Sequence, residues 1–126
     1  MKTIQTAAAP AAIGPYSQAV VVGNLLFTAG QIPLDPQTME MVKGAIEDQT
    51  RQVLKNLDAV LLEAGASWDG VIKTTVFLTD LADFAAFNSI YEQHLKGAKP
   101  ARSTLQVAAL PRGAAVEIEL IAALDA

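Results

Sequence analysis

Apolar residues recur at three- and four-residue spacing along the stretch from Ile46 to Ala64. Charged and amide side chains occupy the opposite side of this stretch, which is the pattern of an amphipathic helix packed on a sheet. Gly65 follows directly and is predicted to end the helix as a left-handed cap. Leu62 falls outside the apolar stripe, so we expect it to meet another subunit. The stripe consists of Ile46, Thr50, Val53, Leu54, Leu57, Val60, Leu61 and Ala64.

A near-continuous apolar run from Gly70 to Thr79 predicts a strand that is buried on both faces. Asp80 comes next and is predicted to cap a second helix, with Asp83 favourable in its first turn. Aromatic residues at helical spacing are mainly core residues, so neither Phe84 nor Tyr91 is assigned to a ligand. The stripe of this second helix is Phe84, Phe87, Ile90, Tyr91 and His94.

Four more segments have the composition of strands. Ala19–Val22 and Leu25–Thr28 are short apolar runs separated by Gly23-Asn24, a dipeptide that favours a hairpin. Near the end of the chain, residues 99–111 and 116–121 alternate between apolar and polar side chains. We predict that these two segments are strands joined by a short turn that contains proline and glycine.

The order of these elements predicts an α+β fold. Residues 1–15 are expected to form an arm and residues 33–44 a loop, which leaves the order β-β-α-β-α-β-β. Length alone favours a single domain over residues 1–126. Both helices are predicted to cover one face of a mixed sheet, so the other face is exposed unless other subunits cover it.

Strand alternation predicts which residues face the helices. On the first of the last two strands we expect Ser103, Leu105, Val107 and Ala109 to face the helices, and Arg102, Thr104, Gln106 and Ala108 to face away. On the last strand we expect Val116, Ile118, Leu120, Ala122 and Leu124 to face the helices, and Glu117, Glu119, Ile121 and Ala123 to face away. The outward sets mix polar with small apolar groups, which suits a subunit interface with clefts.

Composition narrows the classes of function. Hydrophobic residues make up 52% of the chain, above the roughly 45–50% of soluble domains, and much of the excess is alanine. A net charge of −4 without a lysine/arginine cluster gives nucleic acid binding no electrostatic driving force. No apolar run approaches the roughly 18 residues of a membrane span, and the first residues make a poor signal peptide. The absence of cysteine excludes disulfides and thiolate catalysis and fits a cytoplasmic protein.

The histidine, acidic and glycine residues of the chain argue against several kinds of functional site. His94 is the only histidine, and a single exposed histidine on a helix is expected to be inert. No His/Asp/Glu cluster has the spacing of a metal site, and no glycine pattern matches a nucleotide or dinucleotide fingerprint. Chemistry in this chain therefore has to use Arg, Glu, Tyr, hydroxyl groups, the backbone and water.

The last two predicted strands carry the strongest candidate side chains. Arg102 stands at the entrance of one strand, and its planar group of donors fits a carboxylate with two hydrogen bonds. Glu117 and Glu119 lie two residues apart on the next strand, where a carboxyl group could move a proton or hold a water. From spacing alone, an ordinary surface ion pair on an antiparallel hairpin explains these residues as well.

Four segments in a fixed order resemble the RidA (YjgF) family, and the resemblance runs from end to end. They are Gly14-Pro-Tyr-Ser-Gln-Ala19, Phe27-Thr-Ala-Gly-Gln-Ile-Pro33, the stretch 71–84, and Pro100-Ala-Arg-Ser103 continuing to Val116-Glu-Ile-Glu119. The resemblance implies a chorismate-mutase-like homotrimer with three clefts between subunits. It also implies detoxification of reactive 2-imino acids, or their enamine tautomers, by hydrolysis to 2-keto acids and ammonia without cofactor or metal.

The same resemblance assigns roles to individual residues. Arg102 matches the family's carboxylate-binding arginine, Glu117 its strand glutamate, and Tyr16 the tyrosine that closes the cleft. Glu119 is a competing position for the glutamate, and a hydrogen bond from helix to helix explains Asn88 equally well. The predicted catalytic residues are Glu117, Tyr16 and Arg102. The predicted substrate-binding residues are Arg102, Tyr16, Ala29, Gly30, Asn88 and Thr104.

Two positions depart from the family pattern. Thr104 stands where many relatives have cysteine, and it keeps a hydroxyl group for a ligand but supplies no thiolate. Ala29 stands where many relatives have serine, and it loses a donor. These departures leave open an alternative function, a trimer that binds small carboxylates or acts as a chaperone in the same clefts without catalysis. A ribonuclease function, which has been attached to some relatives, fits poorly because the chain has no basic groove and no histidine pair.

Overall fold

The computed structural model describes residues 1–125, which form six strands and two α-helices. The strands are β1 (Lys2–Ile4), β2 (Ala19–Val22), β3 (Leu25–Thr28), β4 (Val71–Leu78), β5 (Ala101–Gln106) and β6 (Val116–Ala123). The helices are α1 (Ile46–Ala64) and α2 (Phe84–Leu95). Short 3₁₀ turns at Trp68–Gly70, Leu81–Asp83 and Pro111–Gly113 precede β4, α2 and β6.

All six strands belong to one sheet, in the order β1-β2-β3-β6-β4-β5. β4 and β5 run parallel and the other neighbouring pairs are antiparallel, so the sheet is mixed as predicted. The helices pack on each other and on the sheet, which confirms the α+β class. Residues 2–4 were expected to lie in an arm, but they pair with β2 as a sixth strand. The core between the layers includes Leu26, Val53, Leu54, Leu57, Val60, Val76, Leu78, Phe87, Val116 and Ile118.

The last two strands do not form the predicted hairpin, because β4 lies between them. Thr74 of β4 pairs with Arg102 of β5, and Phe77 of β4 pairs with Glu117 of β6. β5 is consequently an edge strand, and it ends at Gln106. The chain passes from β4 to the parallel strand β5 through α2, which is a long crossover connection. The hairpin was predicted from the short turn between β5 and β6, and that turn gives no sign of the crossover.

The predicted faces of β6 are confirmed, whereas those of β5 are reversed. Thr74 is buried beneath the helices, and its partner Arg102 lies on the same face together with Thr104 and Gln106. Leu105 lies on the open face and is 40% exposed. Because β5 is an edge strand, its largest apolar residue marks the open face rather than the core, which explains why hydrophobicity misassigned it. On β6 the side chains of Val116, Ile118, Leu120 and Ala122 are buried.

The limits of α1 and its cap are confirmed. Gly65 has φ 78° and ψ 25°, and its N–H donates to the Leu62 carbonyl at 3.1 Å. One buried residue of α1 lies outside the predicted stripe: the Asn56 amide donates to the Leu34 carbonyl at 3.0 Å and holds the loop after β3. Leu62 itself is 80% exposed, and its contact with another subunit stays a prediction.

The start of α2 differs slightly from the prediction. Asp80 caps the turn Leu81–Asp83, since its Oδ1 accepts the Ala82 N–H at 2.9 Å. α2 itself begins at Phe84 without a side-chain cap. The buried residues of α2 are Phe87, Ile90, Tyr91 and Leu95, so the predicted aromatic core position of Tyr91 is confirmed.

Candidate active site

A bulge where β3 leaves β6 forms the wall of one cavity. The ladder pairs Phe27 with Ile121 and resumes with Gln31 opposite Ile118. The three residues 28–30 therefore lie opposite only two residues of β6, Glu119 and Leu120, which is the geometry of a β-bulge. Gln31 and Ile118 exchange both backbone hydrogen bonds, at 2.8 and 3.1 Å, and anchor the far end of the bulge. The backbone of residues 29 and 30 is thereby displaced from the ladder beside Glu117.

Glu117 lies against Gly30, so a larger residue at this position would have to displace the Glu117 side chain. A Cβ atom placed on Gly30 would lie 2.8 Å from Glu117 Cδ, a separation that real Cβ atoms do not show. Burial raises the pKa of Glu117 above its ordinary value of 4.5, and the negative charge of Glu119 raises that pKa further. Glu117 therefore keeps its proton to a higher pH than an exposed glutamate does.

The cavity in front of Glu117 has a volume of about 590 Å³. Tyr16 stands at its rim with 54% of its surface exposed, and Ala29 and Gly30 form part of the wall. Pro10 and its neighbours in the N-terminal segment form another part. The cavity thus combines a carboxyl group, a phenol and displaced backbone in one apolar-walled space.

Gln18 fixes the N-terminal segment that walls this cavity. Its side chain is buried, its Oε1 accepts the Thr6 N–H at 2.7 Å, and its Nε2 donates to the Pro10 carbonyl at 2.8 Å and to the Ala9 carbonyl at 3.3 Å. The residues predicted as an arm are therefore held in place. Gln18 belongs to the Gly14–Ala19 segment quoted above, yet the sequence did not identify it as an anchor.

Arg112 is a second lining residue of this cavity that the sequence analysis missed. Its backbone is left-handed, with φ 57°, and its Nη1 donates to the carbonyl of Met39, which is itself left-handed with φ 59°. The proline and glycine on either side of Arg112 were interpreted only as a turn, which hid the side chain between them.

Arg102 lines a different cavity, of about 760 Å³, between α2 and the start of β5. Asn88 Oδ1 accepts a hydrogen bond from Arg102 Nη1 at 2.7 Å. The guanidinium carbon lies 4.9 Å from the ring centroid of Tyr91 and 5.4 Å from that of Phe84. Burial raises the pKa of Tyr91, while its hydrogen bond to Thr74 and the charge of Arg102 act in the opposite direction. The hydrogen bond of Asn88 thus joins α2 to the strand β5, not to the other helix as the alternative explanation of Asn88 had it.

Within one chain, the structure divides the predicted site residues into two groups on opposite faces of the sheet. Glu117, Tyr16, Ala29 and Gly30 line the first cavity, and Arg102 and Asn88 line the second. Thr104 lines neither cavity. Its Oγ1 is buried on the helix face and has no hydrogen-bond partner among residues 1–125, so the hydroxyl expected to meet a ligand does not reach one within this chain.

His94 is half-buried rather than exposed, and it joins the two helices. Its Nε2 lies 2.8 Å from Asp58 Oδ1 on α1, and the Trp68 indole N–H donates to the same oxygen at 2.7 Å.

Among the residues that the structure describes, no group of three or more His, Asp or Glu side chains is arranged to hold a metal ion. Neither α1 nor α2 is long and apolar enough to cross a membrane.

Comparison with known proteins identifies the family. Residues 6–124 match the family described as endoribonuclease L-PSP. The chain is 50% identical to 2-iminobutanoate/2-iminopropanoate deaminase of Mus musculus, over 96% of this chain and 90% of that protein. It is 49% identical to RidA from the Antarctic bacterium Psychrobacter sp. PAMC 21119, with a TM-score of 0.94 and 98% and 99% of the two chains covered.

A third relative was solved with an amino acid bound. The structure of E. coli TdcF with bound serine has 47% sequence identity and a TM-score of 0.93, and 98% of each chain is covered. These matches confirm the predicted resemblance. The chain belongs to the endoribonuclease L-PSP family, which also contains RidA.

Proposed function

We propose that the chain hydrolyses reactive 2-imino acids, and their enamine tautomers, to 2-keto acids and ammonia. The observation that carries the proposal is the pair of chemically matched groups, a held guanidinium at Arg102 and a carboxyl group of raised pKa at Glu117. The name of the mouse relative supports this reaction class. That name gives no support to the alternative function, a trimer that binds small carboxylates or acts as a chaperone without catalysis.

The reaction divides between these groups. Arg102 binds the substrate carboxylate through two N–H donors, which orients the C=N carbon. The carboxylate of Glu117 takes a proton from water as the oxygen bonds to that carbon, and it gives this proton to the nitrogen as the C=N π bond opens to a carbinolamine. The carboxylate then carries the hydroxyl proton of the carbinolamine to the nitrogen, so that the C–N bond breaks, ammonia leaves and the keto group forms. The substrate is already electrophilic, so no covalent intermediate is required.

The surrounding residues give this step its geometry. Displaced backbone at Ala29 and Gly30 lets the substrate approach Glu117 closely, and Tyr16 covers the rim of the cavity. Asn88 holds the guanidinium from one side. Thr104 contacts the substrate only if the neighbouring subunit completes a cleft beside its buried hydroxyl group.

The two groups meet, in this proposal, across a subunit boundary. Arg102 lies at the sheet edge on the helix face, and Glu117 lies on the open face, so one chain does not bring them together. A homotrimer that joins the open faces of three sheets supplies the missing half of each site from the next subunit. The cytoplasmic location expected from the sequence stays a prediction.

The direct test is hydrolysis of an imine made in situ. Threonine dehydratase generates 2-iminobutanoate, and its disappearance is followed with a trapping amine in the presence and absence of the chain. We expect clear acceleration by the unmodified chain, a decrease in kcat/KM of roughly ten- to hundredfold for Arg102→Lys, and severe loss for Glu117→Gln. Glu119→Gln, measured at pH 8, is the matched control and should stay near the unmodified rate.

Two results would contradict the proposal. If the unmodified chain consumes no imine faster than buffer but still binds 2-ketobutanoate, the chain is the non-catalytic carboxylate binder. If Arg102→Lys assembles normally and turns over at the unmodified rate, Arg102 does not hold the carboxylate.

A further inference from the structure

Arg102 is enclosed by an aromatic clamp, by which we mean the rings of Phe84 and Tyr91. Both ring centroids lie within the roughly 6 Å at which an aromatic face attracts a cation, at 5.4 and 4.9 Å. Asn88 occupies one corner of the guanidinium, at Nη1. The rings thus restrain the planar group while N–H donors on its other edge are left for a ligand.

The ring of Tyr91 is fixed in turn by the sheet. Tyr91 is buried, and its hydroxyl oxygen lies 2.8 Å from Thr74 Oγ1. Thr74 is the β4 residue directly opposite Arg102 in the parallel ladder. The hydroxyl bond therefore locks the ring at the sheet position from which the arginine side chain emerges. Phe84 is half-buried and has no such polar tether.

We propose that Tyr91 is a positioning residue that, together with Phe84, holds the Arg102 guanidinium ready for a carboxylate. This inference rests on the proposed function only for the identity of the bound molecule, a 2-imino acid. Arg102 is the second residue of an edge strand, and a long unrestrained side chain would lose its rotational freedom when the ligand binds. Rings that restrain the side chain beforehand remove that cost from binding and leave the proton transfers unaffected.

The test separates binding from turnover. Tyr91→Leu removes the ring, whereas Tyr91→Phe keeps the ring and loses the hydroxyl with its bond to Thr74 and its interaction with Arg102. For hydrolysis of 2-iminobutanoate we expect Tyr91→Leu to raise KM roughly five- to thirtyfold with kcat changed less than about threefold. Tyr91→Phe should restore most of the lost affinity, because it keeps the aromatic face that attracts the guanidinium. Unchanged KM in a folded Tyr91→Leu trimer would overturn the proposal.

A double substitution tests whether Tyr91 acts through Arg102. In an Arg102→Ala background no cation is left for the ring to hold, so adding Tyr91→Leu should raise KM less than about twofold. A full additional increase in that background would show that the ring acts elsewhere and would overturn the clamp. If Tyr91→Leu fails to fold, Phe84→Leu carries the same test, because Phe84 is less buried and its substitution should raise KM in the same direction.

An NMR measurement keeps the clamp testable without catalysis. The Arg102 side-chain protons should show an upfield ring-current shift that decreases in Tyr91→Leu, where only the Phe84 ring remains, and 2-ketobutanoate should bind that variant more weakly. This result together with no imine turnover by the unmodified chain would refute the proposed function and support the clamp. Identical Arg102 signals and identical 2-ketobutanoate affinity in the two proteins would refute the clamp whatever the turnover.

Discussion

The carboxyl group of Glu117 lies between a peptide backbone and a second carboxylate. Gly30 closes one side so tightly that a methyl group would collide with the Glu117 side chain. Glu119, two residues along β6, adds a negative charge on the same face. Partial removal from water and a like charge both favour the protonated form, so the group exchanges its proton nearer to neutral pH than an exposed glutamate.

Removing the charge of Glu119 should shift the acid side of the pH–rate profile. If Glu117 acts as the base, kcat/KM rises with pH as Glu117 ionises. Glu119→Gln lowers the pKa of Glu117, so this rise should occur at a lower pH, although burial still keeps it above that of an ordinary glutamate. Profiles of both proteins with 2-iminobutanoate test this. An unmoved or upward-shifted rise in Glu119→Gln would contradict the assignment.

The same pKa shift has a consequence for folding. Because the folded chain holds the Glu117 proton more tightly than the unfolded chain, stability from this group is greatest below pH 4.5 and is lost as pH rises through the folded-state pKa. Glu117→Gln should therefore unfold at a higher urea concentration than the unmodified chain at pH 8, and this advantage should shrink towards pH 4. Equal midpoints at both pH values would contradict the shift.

Substituting Gly30 tests whether space beside Glu117 is required. Gly30→Ala places a methyl group against the Glu117 carboxyl and should reduce kcat/KM strongly because the carboxyl group is displaced, while the stability loss stays below about 1 kcal/mol because the end of this side chain can move into the cavity. Gly23→Asn is the control, since a side chain at Gly23 meets nothing within 4 Å and asparagine tolerates its left-handed φ of 61°. Activity in Gly30→Ala equal to that of the control would show that the close approach has no function.

Elements with strong local signals were predictable from the sequence. The stripe of α1, the glycine cap at Gly65 and the Gly23-Asn24 hairpin depend on residues close together in the chain. β5 did not follow its own pattern, because its parallel partner is reached only through α2. The hydrophobicity of Leu105 consequently indicated the wrong face.

The candidate site was predictable only in part, and mainly through the family resemblance. The sequence placed its residues in one cleft, whereas within one chain they line two cavities on opposite faces of the sheet and Thr104 lines neither. This separation depends on β4 lying between β5 and β6. Tyr91 was interpreted as a core residue, which it is, yet its ring also contacts the guanidinium of Arg102. Long-range contacts of Gln18 and Arg112 leave no periodic trace in the sequence.

Gln18 should control the order of the N-terminal segment. Gln18→Ala removes the donor to the carbonyls of Ala9 and Pro10 and the acceptor for Thr6 N–H, which should cost about 1–3 kcal/mol of unfolding free energy. Backbone amides of residues 6–16 should exchange hydrogen faster, and imine turnover should fall because the wall of the Glu117 cavity loosens. Gln5→Ala, at an exposed position, is the matched control; equal exchange in both variants would contradict the anchoring role.

The open face of the sheet has the composition of a surface that is covered in an assembly. Phe27 and Leu105 are more than a third exposed, and they share this face with Phe77 and Ile121. Apolar side chains of this size on one sheet face are typical of an interface. Glu117 and Glu119 lie among them, so covering the face also encloses the proposed site.

Mixing two inactive variants tests the central claim most directly, that each site takes Glu117 from one subunit and Arg102 from another. Glu117→Gln and Arg102→Ala chains with different tags are unfolded, combined in equal amounts and refolded, and mixed assemblies are purified. Light scattering should give three times the chain mass of 13.2 kDa. The purified mixed trimers should regain about a third of the unmodified imine hydrolysis, because one of the three sites in each of them receives both intact residues. Activity no higher than that of the two parent variants, in assemblies shown to be mixed trimers, would contradict a site shared between subunits.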